Sequence, residues 1–338
     1  AHAEKITFQE FRTRFSTEES CRAELFRLRF PNGFVCPKCG CTEYYPVRGR
    51  NTFQCRACRR QTSVTAGTVM HRTHLPLTAW FWAIYLCATD KRGISAVQLS
   101  RTLNICYESA WYLLHRIRCA MAQRDENYAL SGIVEMDDGY VVADGQGEIV
   151  VALSKTENGA ALFTRMQVVE DVTSKTLQQV VDKAAAPGAK IECDGYRSYK
   201  NLSGVELDAK KYESGDLHWL HKAISNLKAF LLGTYHGRCT QLQAYLDEFC
   251  FRFNRRKTGD QIFMRRQEPS LHLVPSCIKP ISTLIFSVQA IKVKDKVLEE
   301  IALEWIIAIA QHGLTFEMLA IITHFLFDIC QLGIKLIL

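Results

Sequence analysis

Between residues 131 and 265 the apolar positions fall into short runs with polar breaks. They predict strands at 132–142, 148–154, 160–169 and 189–194, with helices at 173–186, 217–232 and 239–254 and a short helical turn near Ser198. Three strands joined by short turns, then a helix and a further strand, describe a mixed α/β sheet flanked by helices. The first strand carries Ile133, Val134, Met136, Val141 and Val142, yet Glu135, Asp137 and Asp138 stand in its middle. Carboxylates in a half-buried strand are costly unless something cationic faces them. Alternation along the strand sends Glu135 to the same side as Asp137 and Asp138 to the other. Glu135 then reads as a solvated acid with at most a minor ligand role.

The fourth strand ends in Glu192-Cys193-Asp194. If the first and fourth strands are neighbours, Asp137 and Asp194 lie side by side. That is the geometric condition for holding Mg²⁺ or Mn²⁺ jointly through oxygen ligands.

Upstream the period is helical. Residues 4–30 interleave Phe8, Phe11, Phe15, Leu25 and Phe26 with charges, and Ser16-Thr17-Glu18-Glu19 reads as a helix start, so two short helices are expected at 1–30. Three more follow, at Leu77–Ala88, Ser95–Leu103 and Tyr107–Met121. The break at Asn104-Ile105-Cys106 makes the last two a helix-turn-helix candidate within 75–125. Its second helix would offer Tyr107, Ser109 and Tyr112 to DNA bases and Arg116 and Arg118 to phosphate. An ordinary three-helix bundle with core aromatics is the competing reading.

Charge divides the chain. The first 125 residues hold 19 Lys and Arg against 9 Asp and Glu, whereas the whole chain has a formal net charge of only +7. A basic module joined to a mildly acidic one points to a polyanion, nucleic acid, as partner. Within the basic part, Cys36-Pro37-Lys38-Cys39 and Cys55-Arg56-Ala57-Cys58 are separated by fifteen residues. Paired knuckles at this spacing suit tetrahedral Zn²⁺, which predicts a zinc ribbon over 31–72, with Cys41 turned away. Arg48, Arg50, Arg56 and Arg59 lie around it among Tyr44, Tyr45 and Phe53, as a phosphate-contacting surface would require. The other cysteines are scattered singly, and no N-terminal signal pattern precedes them, so a reducing compartment is expected. This is the cytoplasm, alongside the nucleoid, in a bacterium, or the nucleus in a eukaryote. Residues 267–338 turn strongly apolar, but Glu317, His324, Asp328 and Lys335 interrupt the last run, so an apolar helical tail is expected rather than a membrane span.

Taken in order, FRLRFPNGFVCPKCG, GISAVQLSRTLNICYESAWYLLHRIR, VEMDD, ECDGYRSY, HKAISNLKAFLLGTYHG and YLDEFCFRFNRR resemble the DDE-type insertion-sequence transposases that carry an N-terminal zinc ribbon, the ISXO-two-like group. The resemblance runs from about Phe15 to Phe263. It implies an RNase H-like catalytic domain over 130–266, two catalytic divalent ions, a structural zinc and no small-molecule cofactor. It also implies cleavage and strand transfer at transposon ends. Terminal repeats and target DNA would be the partners, bound by a homodimer or higher oligomer. By the same resemblance Asp137 and Asp194 match the first two catalytic aspartates. The third position, commonly Glu, falls seven residues before Lys228, at His221, nearly on the same helix face. Asn226 is the competing candidate, about 140° further round the helix. Lys228 would touch DNA phosphate, and Arg255 and Arg256 would bind strands. Two other readings stay open: a catalytically inactive DNA-binding protein, and a nuclease on the same fold.

Overall fold

The computed structural model describes residues 6–47, 49–90, 92–141, 147–210, 217–236 and 241–256. The chain divides into two units, Ala1–Cys277 and Ile278–Leu338, and all described residues belong to the first. The apolar tail expected over 267–338, like Arg48, lies outside the described residues.

Helices α1 (Phe8–Arg14) and α2 (Glu18–Arg29) each begin in a capping box, on Thr7 and Thr17. Then come three short antiparallel strands, β1 (Tyr44–Val47), β2 (Thr52–Cys55) and β3 (Gln61–Ser63), which form the ribbon that carries the knuckles. A cluster of Phe30, Phe34, Cys36 and Cys55 is its small core, with Phe26, Tyr44 and Phe53 packed against it.

Helix α3 (Leu77–Thr89) starts at Pro76, which offers no side-chain cap. Its first amides are taken instead by Glu18, which accepts from Leu77 N at 2.9 Å and Thr78 N at 2.8 Å. Phe11 stacks on Tyr85 with centroids 4.2 Å apart, so α1 and α2 brace α3 through both apolar and polar contacts. Helix α4 (Ala96–Leu103) ends where Asn104 takes a left-handed φ of 51°, and α5 (Tyr107–Glu126) follows after the expected break. Trp80, Leu99, Leu113 and Leu114 fill the space between the three helices.

The second half is a five-stranded sheet of β4 (Ile133–Tyr140), β5 (Glu148–Lys155), β6 (Ala161–Val168), β7 (Lys190–Asp194) and β8 (Glu206–Lys210). Between β6 and β7 runs α6 (Ser174–Ala184), and Arg197–Asn201 form a short 3-10 turn after β7. Helices α7 (His218–Tyr235) and α8 (Leu242–Asn254) close the unit. The order is β6-β5-β4-β7-β8, with β5 antiparallel to both neighbours and β4, β7 and β8 mutually parallel. This is a mixed sheet flanked by helices, as the apolar pattern predicts.

From Ile149 to Leu153 every residue of β5 is buried, because both faces are covered. Val150 joins Met136, Leu177 and Ile191 on the α6 side, while Ile149 and Val151 join Leu220, Leu227 and Leu246 on the α7–α8 side. Strand β8 was not expected from the sequence. It is a short edge strand with Glu206 and Asp208 in it, so neither burial on both faces nor an apolar run marks it. Among the described residues no helix is long and apolar enough to cross a membrane.

Candidate active site

Strand β4 is central, with β5 on one side and β7 on the other, and its parallel register with β7 sets Glu135 beside Glu192 and Met136 beside Cys193. One step further along, that register brings Asp137 level with Asp194. Met136 and Cys193 point into the α6-side core, so Asp137 and Asp194, each one residue on, share the opposite face with Glu135 and Glu192. Helix α7 covers this face. Its residue His221 reaches Asp137 with Nε2 to Oδ2 at 3.4 Å.

The two same-face acidic pairs are treated differently. Lys155 Nζ lies 3.1 Å from Glu135 Oε1 and 2.6 Å from Glu192 Oε2, so the inner pair is neutralised by a lysine. In the outer pair, Asp137 has the His221 imidazole beside it. Burial pushes the Asp137 carboxyl above its ordinary value, and the charges of Asp138 and Asp194 push it further. Asp138 is likewise raised, first by burial and then by Asp194 and Glu148, although the Tyr199 hydroxyl donates to it at 3.2 Å. Acidic oxygens gathered where burial and neighbouring negative charge oppose ionisation form a donor set suited to a hard divalent cation, which would relieve the repulsion. Oxygen donors from two strands with an imidazole from a helix suit a divalent cation.

Glu135 corrects the sequence reading. It is 3% exposed rather than solvated, and its Oε2 accepts the N–H of Leu220 at 2.9 Å. Leu220 lies in the first turn of α7, where backbone amides have no partner within the helix. Glu135 therefore ties the helix carrying His221 to the strand carrying Asp137. Periodicity could place Glu135 on the right face, but only the packing of α7 shows what it meets there.

Asn226 and Lys228 are exposed on α7, and the described contacts bring His221, not Asn226, to Asp137. Seven residues separate His221 from Lys228, about two turns, so both rise from nearly one side of the helix.

In the ribbon, the sulfurs of Cys36, Cys39, Cys55 and Cys58 all lie within 4.8 Å of one another. Cys36 and Cys58 are 3.6 Å apart, and Cys39 and Cys55 are 3.5 Å apart. Backbone N–H groups within the knuckles, from Lys38 to Cys36 and from Cys58 to Cys55, hold these two thiols below their ordinary value, whereas Cys39, despite the Cys41 N–H, is pushed up to about 12 by the Cys58 and Cys55 sulfurs, a crowding of thiols that Zn²⁺ would relieve. Cys41 stands apart, its Sγ 3.8 Å from Glu43 O. Among the described residues this is the one set of three or more potential ligands so tightly gathered, so Asp137, Asp194 and His221 form a wider, more open set.

The residues expected to meet DNA divide into two groups. Arg50, Arg56 and Arg59 are exposed on the ribbon, Arg56 being held by Glu43 at 2.8 Å and lying over the Tyr45 ring. Tyr107 and Tyr112 are exposed on α5, and Ser109 is half-buried there, within 3.1 Å of the Cys106 sulfur. Arg116, Arg118 and Arg255 are corrected, Arg118 being buried against Glu248 at 2.7 Å. Arg116 is 5% exposed, donating to His71 O at 2.9 Å and to the Tyr112 hydroxyl at 3.0 Å, because position 116 falls on the face of α5 that packs on Trp80. Arg255 turns inward to Asp125 at 2.7 Å and covers the Phe251 ring. Arg256 stays at the surface but donates to the carbonyls of Ala161 and Leu162 in β6.

Residues 16–61 match a family model described as a transposase zinc-ribbon domain, and residues 129–254 match one described as an ISXO2-like transposase domain. The two matches together take in about half of the chain. No curated protein matches this chain. Among solved structures, the crystal structure of the catalytic core domain of BIV integrase aligns at 17% identity, over 37% of this chain and 84% of that one, with a TM-score of 0.29.

Proposed function

Since this chain belongs to the DDE-type insertion-sequence transposases that carry an N-terminal zinc ribbon, we propose that it binds the terminal repeats of a transposon, cuts at their ends and joins the freed 3′-hydroxyl to target DNA. The observation that carries this reading is the parallel pairing of β4 with β7, which sets Asp137 and Asp194 on one face under the helix bearing His221.

Asp137 and Asp194 would hold Mg²⁺ or Mn²⁺, with His221 as a further ligand. When bound, a pair of such ions activates a water or 3′-hydroxyl and stabilises the departing oxygen in an in-line displacement. The protein's own contribution is position. The sheet holds the two carboxylates rigidly, and α7 brings the imidazole from above. Lys228, one side of the same helix, meets the phosphate backbone as a point charge and offsets the charge that builds up there. The exposed ribbon arginines and the α5 tyrosines supply binding to the terminal repeat, and a homodimer or higher oligomer brings two ends together. A neutral imidazole at the third position lowers the negative charge of the ligand set. Mn²⁺, which accepts imidazole nitrogen more readily than Mg²⁺ does, should therefore support the reaction better.

The test is divalent-dependent nicking and joining of the flanking element's own ends. Asp137→Asn and Asp194→Ala are each expected to abolish both steps while end binding persists. Joining that survives either change would sink the metal assignment. Wild-type protein that binds ends without cutting would instead be a DNA-binding protein on a silent core. Cutting without joining of pre-cut ends would make it a nuclease.

A further inference from the structure

Helix α5 does not end with the helical bundle. Its second half lies against α8, in the layer that covers the catalytic sheet, and buried charges hold it there. Arg118 of α5 donates to Glu248 of α8 at 2.7 Å, with both side chains under 5% exposed, and Arg252 meets the same carboxylate at 2.7 Å. Burial alone would raise the Glu248 carboxyl, yet the Arg118 and Arg252 charges override it and hold it below its ordinary value.

Seven residues further along α5, about two turns, a second clamp forms. Asp125 receives Arg255 at 2.7 Å and Asn254 Nδ2 at 3.0 Å. The turn that leads into α4 is held on the same side. Arg252 donates to Asp90 O and the Thr234 hydroxyl to Arg92 O, each at 2.6 Å. Gly93 packs so closely there that a Cβ would fall 2.7 Å from the Tyr235 hydroxyl, at a φ of +79° that side chains disfavour. A helix clamped at two points two turns apart can neither roll nor tilt on its support. Breaking such buried pairs one partner at a time is strongly unfavourable, so the attachment stays closed.

We infer that α5 acts as a ruler: the protein itself sets the distance along DNA from the sequence read near Tyr107, Ser109 and Tyr112 to the phosphate cut at Asp137 and Asp194, rather than the bases at the cut. This rests on the transposase reading above. A rigid 20-residue helix spans about 30 Å, close to one turn of duplex, so its tilt converts directly into base pairs.

The test uses wild-type protein and terminal-repeat duplexes lengthened between the footprinted block and the terminus, by a few base pairs or by a full turn of about 10. The expected result is a cut that moves with the inserted length and keeps its distance from the footprint. A cut that stays at the original terminus overturns the inference, as does cutting that disappears while the footprint persists. A second arm uses Asp125→Asn, which loosens only the distal clamp. It should spread cuts over neighbouring phosphates with the footprint unchanged, and a single sharp cut position in that variant overturns the role of the clamp. A wild-type chain that gives no footprint at all defeats the transposase reading itself, and the ruler with it.

Discussion

Glu135 offers the sharpest test of how the site is held together. Replacing it with Ala removes the acceptor of the Leu220 N–H, 2.9 Å away, and one of the two carboxylates on Lys155. A carboxylate on a first-turn amide is a charge-assisted hydrogen bond, contributing about 1.5–3 kcal/mol. Its position at the positive end of the α7 dipole adds about 0.5 kcal/mol. Lys155 keeps Glu192 at 2.6 Å, so loss of the first ion pair costs at most about 1 kcal/mol more. The expected destabilisation for Glu135→Ala is therefore about 3 kcal/mol. Glu135→Gln keeps an acceptor oxygen of the same reach and should cost about 1 kcal/mol.

Urea unfolding of the two variants beside wild type, with the m-value checked for constancy, measures both figures. Divalent-dependent joining by the folded fraction should fall about tenfold or more in Glu135→Ala, because His221, next to Leu220, loses its fixed place over Asp137. If the Ala variant costs under about 0.5 kcal/mol, or the Gln variant costs as much as Ala, the carboxylate is not what anchors α7.

Two further outcomes are open to measurement. Burial pushes Asp247 up to about 6, with the Glu126 and Asp125 charges adding to the shift and the Gln243 hydrogen bond opposing it. Its folded value lies above the unfolded one, so the destabilisation is fully present above about pH 6 and is relieved as the pH falls through that value. Asp247→Asn should accordingly stabilise the protein by about 2 kcal/mol at pH 7.5 and by almost nothing near pH 4; a gain that does not change with pH in thermal unfolding would show the cause is not ionisation. Removing zinc with a chelator, or replacing Cys55 with Ser, should release the metal and open amide exchange across β1–β3 while leaving β4–β7 protected. Exchange that is unchanged in the ribbon would show that its small aromatic core suffices without the ion.

Where one physical rule acts locally, the sequence was readable. The knuckle spacing marked the four sulfurs now gathered within 4.8 Å, and the apolar run from Ile149 to Leu153 marked a strand, which the fold then buries on both faces. Alternation along β4 placed Asp137 and Asp138 on opposite sides, as the contacts to His221 and Tyr199 bear out. The failures have a common cause. Helical period allows Arg116 either outcome, since a long side chain near a phosphate-facing surface looks the same in sequence as one folded back over Trp80. Edge strand β8 carries alternating charge because one side of it meets solvent, and that pattern is also what a loop looks like.

The chain alone determined which residues could do chemistry: two aspartates in apolar strands, four cysteines in pairs, and a histidine seven places before a lysine on a helix. The aspartates and cysteines follow from periodicity and from the donor chemistry of each side chain, both properties of short stretches, while the histidine was singled out by the family resemblance. Only the tertiary structure decided which carboxylates share a face, that Lys155 neutralises Glu135 and Glu192 while Asp137 meets His221, and that Arg118 and Glu248 tie α5 to α8. Those pairings join residues up to 130 positions apart. Their energies depend on distance and burial, which no local pattern of hydrophobic and polar positions encodes.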